Sequence, residues 1–172
     1  MNRVRVGLVG AGAVASSVHL PILTRRSDLF EVVALADLNL NATHVLADRF
    51  GISRENCFDS PMKLIASGSI DAIMVLNSGS HAEVVVSALN AGLNVFCEKP
   101  LALTVPDCIA IRNAWKKSGK NFTIGFTLRY SPHYTRLKEI LDGGNIGQII
   151  SMEFNETLAF NHGGYIHADW RR

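Results

Sequence analysis

The sequence predicts an α/β fold: a doubly wound parallel sheet, followed by the start of an incomplete second α+β domain. Three observations carry this. Valine- and isoleucine-rich bursts alternate with helical patterns, as strands buried on both faces of a parallel sheet do. A glycine turn, Gly10-Ala11-Gly12-Ala13-Val14-Ala15, joins the first burst to the first helical run. Beyond Gly147 the pattern changes to a single long strand-like run. The expected division is residues 1–128 for the sheet domain, with a linker helix and the first strand of a second domain in 129–172.

Taken in order, the strands are expected at Val4 to Val9, Val32 to Ala36, a weak pair at Cys57-Phe58, Ala72 to Leu76, Val95 to Cys97 and Phe122 to Phe126. Gly51, Gly92 and Gly119 follow helical runs, where a left-handed residue closes the last turn most cheaply. Ser80-x-x-Glu83 and Thr104-x-x-Asp107 pair a hydroxyl with an acid three residues on, the spacing that satisfies first-turn amides from both sides. Pro21 lacks an amide proton and is expected to kink or restart the first helix near His19-Leu20. A helix from about Pro132 to Leu141 should end at Gly143-Gly144, and Gln148 to Leu158 should form one long strand. An unfinished strand leaves an open edge that pairs with another copy, so a homo-oligomer is expected.

Composition narrows the function classes. With 48% hydrophobic and 19% charged residues the chain has the material for a buried core. Seventeen basic residues against 15 acidic ones give a formal charge of +2, and the basic residues are scattered, so no nucleic-acid partner is expected. Three cysteines, Cys57, Cys97 and Cys108, lack the close pairs of zinc or redox motifs, which predicts no metal and a reducing, cytoplasmic setting. Arg3, Arg5 and the apolar run to Val14 imitate a secretory signal, but Gly10 and Gly12 interrupt that run. No segment is long and apolar enough for a membrane partner to be expected.

The glycine turn follows a strand and opens a helix, and Asp37 ends the second strand 22 residues after Ala15. This is the spacing of a dinucleotide-binding, Rossmann-type unit. Gly10 permits the tight turn, Gly12 lets the backbone approach a pyrophosphate, and Ala15 allows close packing of helix on strand. Amides near Ala13 and Val14 lie at the positive end of the helix and would face phosphates. Asp37 can accept from ribose hydroxyls while its charge repels a 2′-phosphate, which favours NAD over NADP. The alternative is that Asp37 only begins a turn or caps the next helix.

Glu98-Lys99-Pro100 follows the fifth strand at its carboxyl end, where open α/β sheets bind ligands. An isolated Glu-Lys-Pro reads as a solvated pair where Pro100 ends a strand, but this setting favours the ligand-binding reading. Cys97 beside it has no activating base nearby in sequence and is expected to be a small core residue. The stretch Gly92-x-x-Val95-x-x-Glu98-Lys99-Pro100-Leu101-Ala102, preceded by His81-Ala82-Glu83, resembles the glucose-fructose oxidoreductase, inositol dehydrogenase and rhizopine-catabolism (Gfo/Idh/MocA) family. His19-Leu20-Pro21, Arg129-Tyr130-x-Pro132 and Gly144-x-x-Gly147 are similar to the family as well. So is the ending, His162-Gly163-x-Tyr165 with Asp169-Trp170-Arg171-Arg172.

The resemblance implies a six-stranded Rossmann domain followed by a mostly antiparallel domain, with sugars or polyols oxidised or reduced between them. Lys99 would be the catalytic-site lysine, holding the substrate oxygen and relaying its proton, and Glu98 a ligand near the nicotinamide ribose. Where the family often has Thr-Pro-Asn, this chain has Leu76-Asn77-Ser78, so Asn77, Ser78 and local amides are expected to supply those contacts. His81 either reaches the cofactor or belongs to the first turn of the helix capped by Ser80; the sequence leaves both open. Arg129 either meets an anionic or polyhydroxyl ligand or covers the sheet with its stem, and Tyr165 is a further substrate-side candidate. Relatives place an Asp and His motif beyond the point this chain reaches, so the chain alone is expected to be inactive and to act as the cofactor-binding part of an oxidoreductase. The competing expectation is a non-catalytic NAD-binding, sensing or self-associating module.

Overall fold

The structure is a computed structural model that describes residues 2–157. Six parallel strands, β1 (Val4–Val9), β2 (Phe30–Ala36), β3 (Cys57–Phe58), β4 (Ala72–Val75), β5 (Asn94–Cys97) and β6 (Phe122–Ile124), form one sheet in the order β3-β2-β1-β4-β5-β6. Every strand expected from the apolar bursts is present, with ends displaced by at most two residues. The order reverses between β1 and β4, and the carboxyl ends of these strands define the crevice in which such sheets bind ligands.

Alternation along each strand divides the core between the two sheet faces. Val9, Ile73, Val75, Val95 and Cys97 pack on one face with Leu64 of α3 (Pro61–Ala66), Val85 and Leu89 of α4 (Ala82–Asn90) and Ile111 of α5 (Val105–Ser118). Val6, Leu8 and Leu35 pack on the other with Leu20 and Leu23 of α1 (Leu20–Arg25) and Leu46 of α2 (Leu40–Phe50). This two-sided burial explains the near-continuous apolar runs.

Helix ends follow the local signals with one exception. Gly51 and Gly119 close α2 and α5 at φ 71° and 65°, and Gly92 follows the end of α4 at φ 80°. At α5, the Thr104 hydroxyl accepts from the Asp107 amide at 3.2 Å and donates to the Asp107 carboxylate at 2.8 Å. The box expected at Ser80 does not form, because α4 is capped at His81 and Glu83 then stands at the second helical position instead of the third. Ser80 accepts only from the Ala82 amide, at 3.4 Å.

The first helix bears out the restart expected from Pro21. It opens at Ala13, widens into a π turn over Ala15–His19 and continues as α1, with Pro21 in the first turn. A proline at this point has no proton to donate to a carbonyl four residues back, and its ring would crowd that carbonyl. The wider turn relieves the crowding, with the Leu20 amide bonded to the Ala15 carbonyl.

The chain divides into two compact units, Met1–Gly125 and Phe126–Arg172. Within the second, a short 3-10 turn over Thr127–Tyr130 leads to α6 (Pro132–Asp142), which carries i,i+3 and i,i+4 ion pairs, Arg136 with Glu139 and Lys138 with Asp142. The strand expected from Gln148 to Leu158 is not formed over 148–157. Its alternating apolar residues Ile150, Met152 and Phe154 are exposed. An extended run becomes a strand only when a neighbouring strand accepts its amides and donates to its carbonyls, and none pairs with it among the described residues.

Candidate functional site

Three loops converge at the carboxyl ends of the strands. In the first, Gly10 takes φ 100° and its amide donates to the Ala36 carbonyl at 2.8 Å. A Cβ on Gly10 would stand 2.7 Å from the Asn77 nitrogen and 2.9 Å from the Leu76 carbonyl carbon. The glycine is therefore required by the closeness of the β4 end as much as by the turn itself. Gly12 differs, since a Cβ there would meet nothing within 4 Å. The open side of the turn lies at Gly12, beside the helix opening at Ala13 and Val14, whose first-turn amides have no intrahelical acceptor. Ala15 is buried among Leu8, Leu20 and Leu35, as close helix-to-strand packing demands.

Asp37 fastens this turn. Its Oδ2 accepts from the Ala11 amide at 2.8 Å and its Oδ1 from the Asn39 amide at 2.8 Å. Asp37 thus begins a turn into α2 and places its carboxylate beside the glycine turn. Each oxygen keeps a second lone-pair direction for a further donor. The N-cap of α2 itself is Asn39, which accepts from the Ala42 amide.

In the second loop, Asn77 donates from Nδ2 to the Ser78 carbonyl at 3.1 Å, and Ser78 is exposed. His81 is 1% exposed, and its Nε2 lies 2.8 Å from the Asn77 carbonyl oxygen, so the imidazole braces the loop from beneath. Two buried polar atoms here lack a protein partner, Asn77 Oδ1 and His81 Nδ1. An unpartnered buried acceptor beside a polar loop is a place where a ligand or water supplies the missing donor.

The third loop carries Glu98 and Lys99. The Glu98 amide donates to the Val75 carbonyl at 2.9 Å, extending the β4–β5 ladder beyond Cys97. Its carboxylate is held from several sides: Oε1 is 3.0 Å from His19 Nε2, and Oε2 accepts from the Lys99 amide at 3.1 Å. A Cβ on Gly125 would approach the Glu98 carboxyl carbon to 3.2 Å and the Phe96 ring to 3.1 Å. Glu98 is thus no solvated surface pair with Lys99; its side chain is only 14% exposed, as is that of His19. Lys99 itself is exposed and makes no ion pair among the described residues, and the Lys99–Pro100 peptide is cis. Cys97 is fully buried, and desolvation, reinforced by the Glu98 charge, pushes its thiol up to about 12, so it is the inert core residue expected.

Gly10, Gly12, Ala13, Val14, Asp37, Asn77, Ser78, Glu98 and Lys99 all follow the carboxyl ends of β1, β2, β4 and β5 within the first unit, and His81 is buried beneath the loop after β4. Arg129 belongs to the second unit, where its guanidinium lies 5.4 Å from the centre of the Phe126 ring. Tyr165, together with His162, His167 and Asp169, lies outside the described residues. His19 and Gly125 are site residues that the sequence reading did not single out. His19 stood within the family-like His19-Leu20-Pro21 stretch, but no local signal ties it to a carboxylate 79 positions away. Among the described residues no group of three or more His, Cys, Asp or Glu side chains is arranged to hold a metal ion.

A family model described as an oxidoreductase family with an NAD-binding Rossmann fold matches residues 4–126. The chain belongs to the Gfo/Idh/MocA family. An inositol 2-dehydrogenase of Salmonella typhimurium is 38% identical over 146 residues, covering 84% of this chain and 43% of that protein. Among solved structures, the myo-inositol 2-dehydrogenase of Lactobacillus plantarum aligns with a TM-score of 0.77 at 31% identity, over 87% of this chain and 44% of that one. The scyllo-inositol dehydrogenase of Lactobacillus casei, crystallised with NAD(H) and scyllo-inositol, aligns with a TM-score of 0.78 at 25% identity, over 86% and 43%. The chain therefore spans less than half the length of these relatives. Among the described residues no helix is long and apolar enough to cross a membrane.

Proposed function

We propose that this chain is the cofactor-binding part of an NAD-dependent polyol dehydrogenase, with NAD preferred over NADP. The observation that carries this reading is the pairing of an open glycine with a fastened carboxylate. Gly12 leaves space where a Cβ would meet nothing, and Asp37 is bonded to the adjoining Ala11 amide on the same turn. The residues present fit a dinucleotide. Amides of Ala13 and Val14 would hold the pyrophosphate at the helix start. Asp37 would accept from the adenosine ribose hydroxyls. Asn77, whose buried Oδ1 lacks a protein donor, would take a cofactor donor with Ser78 beside it, His81 serving to hold that loop.

When bound, the nicotinamide would supply the acceptor for a hydride from an alcohol carbon. Lys99 is exposed at the rim and is suited to hold the substrate oxygen with its ammonium. Glu98, fixed in its socket, would receive the nicotinamide ribose. Inositol-type polyols are the proposed substrate class, because the matching relatives are inositol dehydrogenases.

Calorimetric titration of the chain with NAD and NADP tests the cofactor reading. NAD is expected to bind at least about tenfold more tightly, a difference of about 1.4 kcal/mol. Asp37→Ser should erase most of that preference by removing the charge that repels a 2′-phosphate. Equal affinities in the unaltered chain would remove Asp37 from the role assigned to it.

A further inference from the structure

The contact between His19 and Glu98 joins two loops that a dinucleotide would touch at opposite ends. His19 is the last residue of the π turn that continues the phosphate-type loop, and Glu98 directly follows β5, beside Lys99. The Nε2–Oε1 distance is 3.0 Å, and both side chains are 14% exposed. A carboxylate only accepts, so Nε2 carries the hydrogen and donates. The His19 ring also meets Phe96 edge to face, with centroids 5.3 Å apart, which fixes the plane of the imidazole from the neighbouring β5 position. Gly125 also lies close against the carboxylate, where a Cβ would come within 3.3 Å of Oε1. The Glu98 carboxylate is therefore oriented before any ligand arrives, and His19 is the only side chain among the described residues that donates to it.

The π turn explains why a residue of the first helix holds this position. Pro21 forces the wider turn over Ala15–His19, and the turn ends on the residue that faces Glu98. Widened turns of this kind frequently mark functional positions in helices.

We propose that His19 is a positioning residue for the nicotinamide end of the site, acting through Glu98 and linking the orientation of Glu98-Lys99 to the helix that bears the phosphate loop. The inference rests on the cofactor reading above, and it assigns to His19 no contact with the cofactor. Its consequence is selective. Loss of the His19 donor lets the Glu98 carboxylate turn away, which weakens recognition of the nicotinamide riboside half. The ADP-ribose half keeps its own contacts at Gly12, Ala13, Val14 and Asp37.

The test compares NAD with ADP-ribose in calorimetric titrations of the unaltered chain, His19→Ala and His19→Gln. A side-chain amide in glutamine retains a donor that can reach Oε1. His19→Ala should lower the ratio of NAD to ADP-ribose affinity by about fivefold to tenfold, within the range expected for the loss of one ordinary hydrogen bond. His19→Gln should restore most of the ratio. A second reading comes from the ligand-free chain. The Lys99 amide donates to Glu98 Oε2, so its NMR resonance should shift in His19→Ala and return in His19→Gln, while the Ala11 amide bonded to Asp37 stays in place. Equal losses of NAD and ADP-ribose affinity, or an unmoved ratio, would overturn the positioning role while leaving the cofactor reading intact. Failure of the unaltered chain to bind either ligand would overturn the cofactor reading, and this inference with it.

Discussion

Alanine substitutions at Gly10 and at Gly12, two residues apart, separate what the glycine turn does for folding from what it does for binding. At Gly10 the added Cβ would lie 2.7 Å from the Asn77 nitrogen, 2.9 Å from the Asn77 Cα and 2.9 Å from the Leu76 carbonyl carbon. All three are backbone atoms at the end of a central strand, so no rotamer change relieves the overlap. A residue with a Cβ at φ 100° adds a conformational cost of roughly 1–2 kcal/mol, and forcing the backbone apart costs roughly 1–3 kcal/mol more. Gly10→Ala should therefore destabilise by roughly 2–5 kcal/mol, or on the order of 5–15 °C in Tm for a chain of this size. Gly12→Ala should change stability by less than about 1 kcal/mol, since its Cβ meets nothing within 4 Å. That Cβ would instead occupy the space assigned to the pyrophosphate, and NAD affinity should fall at least about tenfold. Thermal melting followed by circular dichroism and NAD calorimetry read the two effects separately. If Gly12→Ala melts as low as Gly10→Ala, or binds NAD like the unaltered chain, the division of roles drawn from the turn geometry is wrong.

The Arg5–Asp71 bridge predicts a pH dependence of stability away from the site. Asp71 accepts from the Arg5 side chain at 2.7 Å and from the Arg5 amide at 2.9 Å, and these bonds hold its carboxyl at about 2, below its ordinary 3.8. A depressed carboxyl stabilises the fold above pH 3.8 and loses that contribution as pH falls through about 2. Both side chains are more than two-fifths exposed, so solvent screening leaves about 1 kcal/mol or less. Urea unfolding should show Asp71→Asn less stable at neutral pH and converging on the unaltered chain towards pH 2; a gap that is constant from pH 7 to pH 2 would contradict the linkage. Cys97, buried and with its thiol pushed up to about 12, should resist iodoacetamide at pH 8 in the folded chain and react only after denaturation. Peptide mass mapping of the labelled chain checks this, and labelling of Cys97 in the native state would refute its assignment to the core.

The sequence by itself determined the strands, the helix-closing glycines at Gly51 and Gly119, the Thr104 cap and the restart before Pro21. Each depends on residues within a few positions of one another, where periodicity, left-handed φ and a missing amide proton act locally. The placement of Gly12, Asp37, Glu98 and Lys99 just beyond strand carboxyl ends was legible for a related reason: those ends can be counted from the apolar bursts. Residues 148–157 had the alternating apolar pattern of a strand without forming one, because pairing requires a partner that a local pattern does not supply. Tertiary structure alone decided that Gly10 faces the backbone of Asn77, that Asp37 ties down Ala11, and that His19 meets Glu98 across 79 positions. Those contacts depend on strand order and register, which place residues distant in the chain within a few ångströms. No spacing along the sequence encodes that closeness.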